Sequence, residues 1–200
     1  MTTIQTENER LTAALSYAAR GWRVLALHSI DSKGKCTCGN PHSGDTHAGK
    51  HPRWDRDLLP HGLKDASTDP ATIRAWWQRW PTANVGIATG AASGLIALDI
   101  DPRHGGDDAL DDLISEHGPL PATVESMTGG GGRHILFVHP GQYVKSNDAA
   151  VAPGVDVKGD GGYIVAPPSN HASGNVYTWE LSSEPGALPL AELPAWLLDE

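Results

Sequence analysis

The stretch LIALDID at residues 95–101 decides the fold that we expect for this chain. Its apolar run leads into two carboxylates, as in a central strand that is buried on both faces and ends at a site. Successive strand residues face opposite sides of the sheet, so Asp99 and Asp101 share one face, about 6 to 7 Å apart. Both can therefore reach one divalent cation, although two solvated aspartates in a turn would give the same pattern.

Helices and strands alternate around this stretch. Thr6 or Asn8 caps a first helix, and a second begins after residue 69 with three tryptophans on one face, of which two are expected in the core and one at its edge. Further strands are expected over 22–27, 84–89, 123–127, 133–139, 155–157, 162–166 and 176–179, an acidic helix over 107–117 and a short helix over 193–198. The pattern predicts an α/β or α+β fold, a mixed β-sheet core flanked by helices, in a single domain over residues 1–200.

Composition and charge limit the classes of function. With 39% hydrophobic and 20% charged residues the chain is unlike a disordered protein. It lacks an apolar run long enough to span a bilayer and the features of a signal peptide, so we expect a cytoplasmic protein with no membrane partner. The net charge of −9 argues against a general nucleic-acid binder. Residues 1–98, however, hold 11 basic and 8 acidic side chains, and 99–116 hold seven carboxylates, which is typical of a metal-dependent enzyme acting on a polyanion.

Two later segments carry side chains suited to phosphates and metals. Four glycines at 129–132 lead into Arg133 and His134, where a close backbone and two donors can cradle a phosphate. A flexible hairpin is the alternative, and no Lys-Ser/Thr follows as in a P-loop. Asp156 and Lys158 share one strand face, which adds a third carboxylate and a cation for phosphate. An ordinary hairpin with an Asp-Gly-Gly turn is the alternative there.

The stretch over residues 31–60 is a long irregular loop, which in a compact domain is usually functional or held by something. Two cysteines and three histidines lie in one 16-residue part of this loop, and a structural zinc site takes four such ligands. We expect one zinc ion on Cys36, Cys38 and two histidines. His47 and His51 are preferred because their spacing suits one helical turn, with His42 as the rival ligand. Free surface cysteines are the alternative.

The order of these segments resembles the primase-polymerase (Prim-Pol) family of the archaeo-eukaryotic primase superfamily, which occurs in plasmid and phage replication proteins. The resemblance rests on D-x-D on a strand, a small-residue loop with Arg-His, and a lone aspartate before GGYIVAPPS at 161–169. The segments GW at 21–22, GKHP at 49–52, NVGI at 84–87 and LPAWL at 193–197 also fit that family's N-terminal module. It implies a primase-like catalytic domain with a zinc-loop insertion at about 31–60.

The resemblance implies a nucleotidyltransferase that adds nucleotides from (d)NTPs to a primer on a single-stranded DNA template. Such an enzyme acts as a primase, as a polymerase or as both. Asp99, Asp101 and Asp156 match the family's ligands for two Mg²⁺ or Mn²⁺ ions, and His134 matches the histidine that contacts the incoming triphosphate. We add two phosphate contacts of our own, Arg133 and Lys158. We also expect the zinc loop to hold basic side chains over the template, so that Cys36→Ser reduces DNA binding more than nucleotide binding.

Two other functions remain open at this point. A non-catalytic DNA-binding replication module would use the zinc loop and the basic first half, and a two-metal nuclease would use the carboxylates. A nuclease needs no triphosphate site, so the candidate phosphate contacts argue against it. The resemblance also implies partners beyond these 200 residues, because family members continue into a helical primase-associated domain and often a helicase.

Overall fold

The computed structural model describes residues 8–42 and 47–197, and within them the chain forms three α-helices and ten β-strands. The helices are α1 (Glu9–Ala19), α2 (Pro70–Arg79) and α3 (Gly106–His117). The strands are β1 (Val24–Leu27), β2 (Asn84–Ala88), β3 (Leu95–Ile100), β4 (Glu125–Met127), β5 (Arg133–Val138), β6 (Asn147–Ala152), β7 (Val155–Lys158), β8 (Tyr163–Ala166), β9 (Thr178–Trp179) and β10 (Ala191–Glu192). This confirms the expected α+β class.

The strands form two sheets. The smaller sheet has the order β1-β2-β8, and the larger has the order β6-β7-β3-β5-β4-β9. Their neighbours are antiparallel, and β10 adds a parallel pair beside β5, which makes the larger sheet mixed. Strand β3, which contains the start of the LIALDID stretch, lies in the middle of the larger sheet, between β7 and β5. The deciding stretch is therefore central, as its apolar run predicts.

One apolar core joins the two sheets. Leu95 and Ala97 of β3 lie in it with side chains from β1, β2 and β8 and from the helices α1 and α2. The alternate residues of β3 face the other way, into a second cluster that α3 closes with Leu110. Because strand side chains alternate, Asp99 continues the Leu95 and Ala97 face. The carboxylate thus lies where the larger sheet meets the smaller one.

The helix ends follow their capping residues. Asn8 accepts hydrogen bonds from the backbone N–H groups of residues 10 and 11 and so caps α1, while Thr6 lies outside the described residues. Asp69 caps α2 in the same way. Trp76 and Trp77 are fully buried and Trp80 lies at the edge of the core, as predicted.

Three strand or helix expectations differ from the structure. Strands β6 and β10 were not expected, because NDAAVA and the dipeptide AE carry little of the β-branched and aromatic content that marks strands. The expected helix over 193–198 is a 3₁₀ turn at Ala195–Leu197, and residue 198 lies outside the described residues. None of the helices in the described part of the chain is long and apolar enough to cross a bilayer.

Candidate active site

A cavity of about 350 Å³ opens between the two sheets. Strands β3, β5 and β7 of the larger sheet line it with Asp99, His134 and Lys158. Strand β8 of the smaller sheet contributes 163–165, and the tip of the β4–β5 hairpin closes another side. The loop over residues 31–60 also reaches this wall, through Lys50 and His47. Residues far apart in sequence therefore converge on one cavity.

The strand register places the polar residues in one row across the larger sheet. Asp99 lies opposite Asp156 of β7 on one side and opposite His134 of β5 on the other. Ser126 of β4 lies next to His134 and completes the row. Residues directly opposite one another on antiparallel strands have Cα atoms about 4.5 to 5.5 Å apart and point to the same face. The strand register therefore brings Asp99, Asp156 and His134 to one face of the larger sheet.

His134 is almost fully buried behind Asp99. Its Nε2 lies 3.6 Å from Asp99 Oδ1, and its Nδ1 lies 3.4 Å from the Ser126 hydroxyl. Burial lowers the pKa of His134, the charge of Asp99 opposes that shift, and the charges of Lys158 and Lys50 add to it. The ring of Tyr177 stacks over it, with centroids 6.1 Å apart. In a neutral imidazole one nitrogen carries the N–H and the other carries a lone pair. Because Nδ1 lies beside the Ser126 hydroxyl, Nε2 is the atom that can contact a ligand in the cavity.

Asp156 is paired with a cation of its own strand. Lys158 Nζ donates to Asp156 Oδ2 at 3.0 Å, as two residues on one strand face can. Lys158 lines the cavity together with Asp99, whereas Asp156 is not among the residues that line it. The Lys158 ammonium therefore neutralises Asp156 at the cavity wall.

Asp101 lies just beyond β3 and is engaged by the following 3₁₀ turn, Pro102–His104. The Arg103 guanidinium donates to both carboxylate oxygens at 3.1 Å, and His104 Nδ1 lies 3.1 Å from Oδ2. Burial raises the pKa of Asp101, but the hydrogen bonds from Arg103 and the nearby positive charges outweigh it and hold the pKa below its usual value. Asp101 thus has Arg103 on both carboxylate oxygens and His104 on one of them, and the D-x-D spacing alone does not reveal these partners.

The carboxylates fit a divalent cation to different degrees. Hard cations prefer carboxylate oxygens, and Asp99 and Asp156 offer two from adjacent strands. Among the described residues, no three carboxylates converge within ligand distance of one another. Lys158 pairs with Asp156, and Arg103 pairs with Asp101. A metal ion at either carboxylate would therefore have to displace a cation, and metal binding by the three carboxylates stays a prediction.

Arg133 does not reach the cavity. It lies one residue before His134 on β5 and so points to the opposite face, towards α3. There its guanidinium bridges Asp107 and Glu125, each at 3.4 Å. The expected phosphate contact from Arg133 is thus not supported by its position. The cavity instead receives Arg103 and Lys50, which the sequence argument did not assign to it.

The glycine run forms the turn of the β4–β5 hairpin. Two hydrogen bonds close the turn: Thr128 N–H donates to Gly132 O, and Gly132 N–H donates to Thr128 Oγ1. A Cβ atom at Gly132 would lie 2.2 Å from Ile100 O, and one at Gly129 would lie 2.2 Å from His171 Cβ. These two glycines let the turn pack tightly against β3 and the segment after β8. The glycine run is therefore the hairpin turn that the alternative gave, its close approach is to protein, and a phosphate contact at this turn stays a prediction.

A second group of ligating side chains lies in the 31–60 loop. One ligand atom from each of Cys36, Cys38, His42 and His51 lies within 4.8 Å of the other three. Two thiols and two imidazoles in such a group are a donor set that suits zinc. His47, the preferred ligand from spacing, is exposed and outside the group. Residues 47–51 form a turn in which His51 Nδ1 contacts His47 O, so the two rings do not point to one centre, and the rival His42 takes the place.

The loop also has contacts of its own. A small apolar cluster is formed by Ile30, Cys36 and Ala48. The Asn170 side chain, in the segment after β8, forms hydrogen bonds with both the backbone N–H and the backbone C=O of Ile30. Next to the cysteine-histidine group, burial and the charges of Arg53, His51 and His42 lower the pKa of His28 to about 4. Contacts within the protein therefore also order this loop.

These features define a class: an α+β protein with a cavity that joins carboxylates, a buried histidine and cationic side chains, which suits a phosphate-bearing ligand and a divalent cation. The model of the family described as bifunctional DNA primase/polymerase, N-terminal (Prim-Pol), matches residues 14–196. Because the match covers nearly the whole chain, the protein belongs to the Prim-Pol family. The comparison with curated proteins gives no match.

Proposed function

We propose that this chain adds nucleotides from (d)NTPs to a primer on a single-stranded DNA template, with the cavity between the sheets as its active site. The observation that carries the proposal is the row of Asp156, Asp99 and His134 across three strands at a cavity that also holds cationic side chains. Membership of the Prim-Pol family supports the same reaction class. Both sheets would then act as one catalytic domain, with the 31–60 loop as an insertion.

Asp99 and Asp156 would hold two Mg²⁺ or Mn²⁺ ions, joined by Asp101 once Arg103 has moved away. Bound ions of this kind lower the pKa of an attacking 3′-hydroxyl and stabilise charge on the leaving pyrophosphate. The residues of the chain would align the reactants. His134 can donate one hydrogen bond to the triphosphate, and Lys158 can exchange its bond to Asp156 for a phosphate oxygen. The net result is transfer of a nucleotidyl group without a covalent protein intermediate.

We propose zinc for the cysteine-histidine group. Elemental analysis of protein purified without chelators should find one zinc per chain. His42→Ala and Cys38→Ser should lose it, and His47→Ala should keep it, because His47 lies outside the group. Retention of zinc in His42→Ala together with its loss in His47→Ala would reinstate the pair that the sequence spacing favoured.

The function is tested by incubating the full chain with labelled deoxynucleotides, Mn²⁺ or Mg²⁺, and either a primed or an unprimed DNA template. Extension of the primer in a template-dictated sequence is the expected result. Products on the unprimed template would add primase activity to it. Template binding without any product would favour a DNA-binding module, and shortening of the strands would favour a nuclease; either result would overturn the proposal.

A further inference from the structure

One turn of the 31–60 loop connects the cysteine-histidine group with the cavity. Within the turn over residues 47–51, His51 belongs to the group and its neighbour Lys50 lines the cavity. The charge of Lys50 is close enough to contribute to the lowered pKa of His134, after the larger effects of burial, Asp99 and Lys158. The two sites are therefore one residue apart along the chain.

The backbone on each side of Lys50 is held by hydrogen bonds. Gly49 N–H donates to Cys36 Sγ at 3.3 Å, and Gly49 O accepts from the Asn84 side chain of β2 at 2.9 Å. His28 N–H, just after β1, donates to His51 O at 2.8 Å. One of these bonds uses a sulfur atom of the cysteine-histidine group, and the residue on the other side of Lys50 is a member of that group. An ion bound there would fix both neighbours of Lys50.

Gly49 shows how closely this turn is packed. Its φ is +73°, and a Cβ atom at this position would lie 3.0 Å from Ile30 Cδ1. A side chain there would strain the backbone and push the turn away from the loop's apolar cluster. In this closely packed turn Lys50 lies on the cavity side.

We propose that Lys50 binds the phosphates of the incoming nucleotide and that the metal in the cysteine-histidine group positions it. This inference rests on the proposed function and deepens it. It gives the zinc loop a role at the active site besides the expected one on the template, because Lys50 and His47 of the loop reach the active-site wall. An ammonium group at this wall would make a charge-assisted hydrogen bond to a bound phosphate.

Equilibrium binding of dATP and dAMP to the full chain in Mn²⁺ tests the first half of the proposal. Lys50→Ala should raise the Kd for dATP about tenfold or more and the Kd for dAMP much less. Lys50→Arg should recover most of the loss because it restores the charge. Lys35→Ala is the matched control, since Lys35 belongs to the same loop but lines a separate groove beside His42 and Pro41. Zinc content should be unchanged in all three variants.

The second half is tested by linkage between the two sites. If metal and nucleotide both favour one position of Lys50, each must strengthen the binding of the other. Saturating dATP should therefore slow the release of zinc to a chromogenic chelator from the wild-type chain, and it should not do so in Lys50→Ala.

The outcomes separate this inference from the proposed function. Wild-type binding of dATP with no change in Lys50→Ala, or an equal loss for dATP and dAMP, overturns the role of Lys50. Zinc release that ignores dATP in the wild type overturns the positioning by the metal. A wild-type chain that binds no dATP in Mn²⁺ overturns the proposed function itself.

Discussion

Among single residues, the contact between Arg103 and Asp101 bears most directly on metal binding at the cavity. A carboxylate that is expected to bind a cation is here bound on both oxygens by a guanidinium. The pair is partly exposed, so its net contribution to stability is small and an incoming divalent ion can displace the arginine. Arg103 also lines the cavity, so the displaced side chain stays next to the ligand. Arg103 would compete with a metal ion for Asp101, and once displaced it would neutralise phosphate charge.

Removal of Arg103 should therefore tighten metal binding when no nucleotide is present. Arg103→Ala is expected to raise the affinity for Mn²⁺ about two- to fivefold, which is the size of an exposed ion pair. The concentration of free Mn²⁺ can be followed by electron paramagnetic resonance. Arg79→Ala is the matched control, because it removes another arginine–aspartate pair, with Asp55, remote from the cavity in sequence. Weaker binding by Arg103→Ala would mean that the arginine orients Asp101 for the metal.

At the scale of elements, side-chain alternation explains both a success and a failure of sequence analysis. Period two correctly predicts that Asp156 and Lys158 share one strand face, where they form an ion pair. The same rule places Arg133 on the α3 face, so it could have excluded that residue from the site. Helical spacing misled the choice of zinc ligands, because residues 47–51 form a single turn and not a helix. Periodicity therefore predicts which face of an element a side chain lies on only where the type of the element, helix or strand, is predicted correctly.

The β4–β5 hairpin turn gives a test at this scale. Gly132→Ala should lower the melting temperature by about 3–10 °C, because its Cβ would overlap Ile100 O and force the turn away from β3. Gly130→Ala is the control, since the nearest atom to its Cβ would lie at an ordinary 3.7 Å. Thermal unfolding followed by circular dichroism measures both. Equal stability of the two variants would show that the turn relaxes freely and does not fix the end of β3.

At the scale of the whole molecule, the site depends on segments that no local pattern connects. The α+β class, the central strand and the cysteine-histidine loop could be predicted, because each depends on short-range patterns or on motif order. The approach of Lys50 to His134, about 84 positions away, depends on how β1 and β2 anchor the loop. The cavity exists because β8 of the smaller sheet faces β3 of the larger one. A single sequence does not specify such long-range packing.

The central claim is that Asp99 and Asp156 carry metal-dependent nucleotide addition, and single-turnover primer extension in Mn²⁺ tests it most directly. Asp99→Asn and Asp156→Asn should each reduce the rate of addition by roughly a thousandfold or more, because an amide is a poor ligand for a hard cation. Their melting temperatures should stay close to the wild type, since each change relieves repulsion between neighbouring like charges, which in Asp156→Asn offsets the loss of the ion pair with Lys158. Asp108→Asn, on the exposed side of α3, should extend primers at the wild-type rate. Full activity in Asp156→Asn or Asp99→Asn would contradict the account.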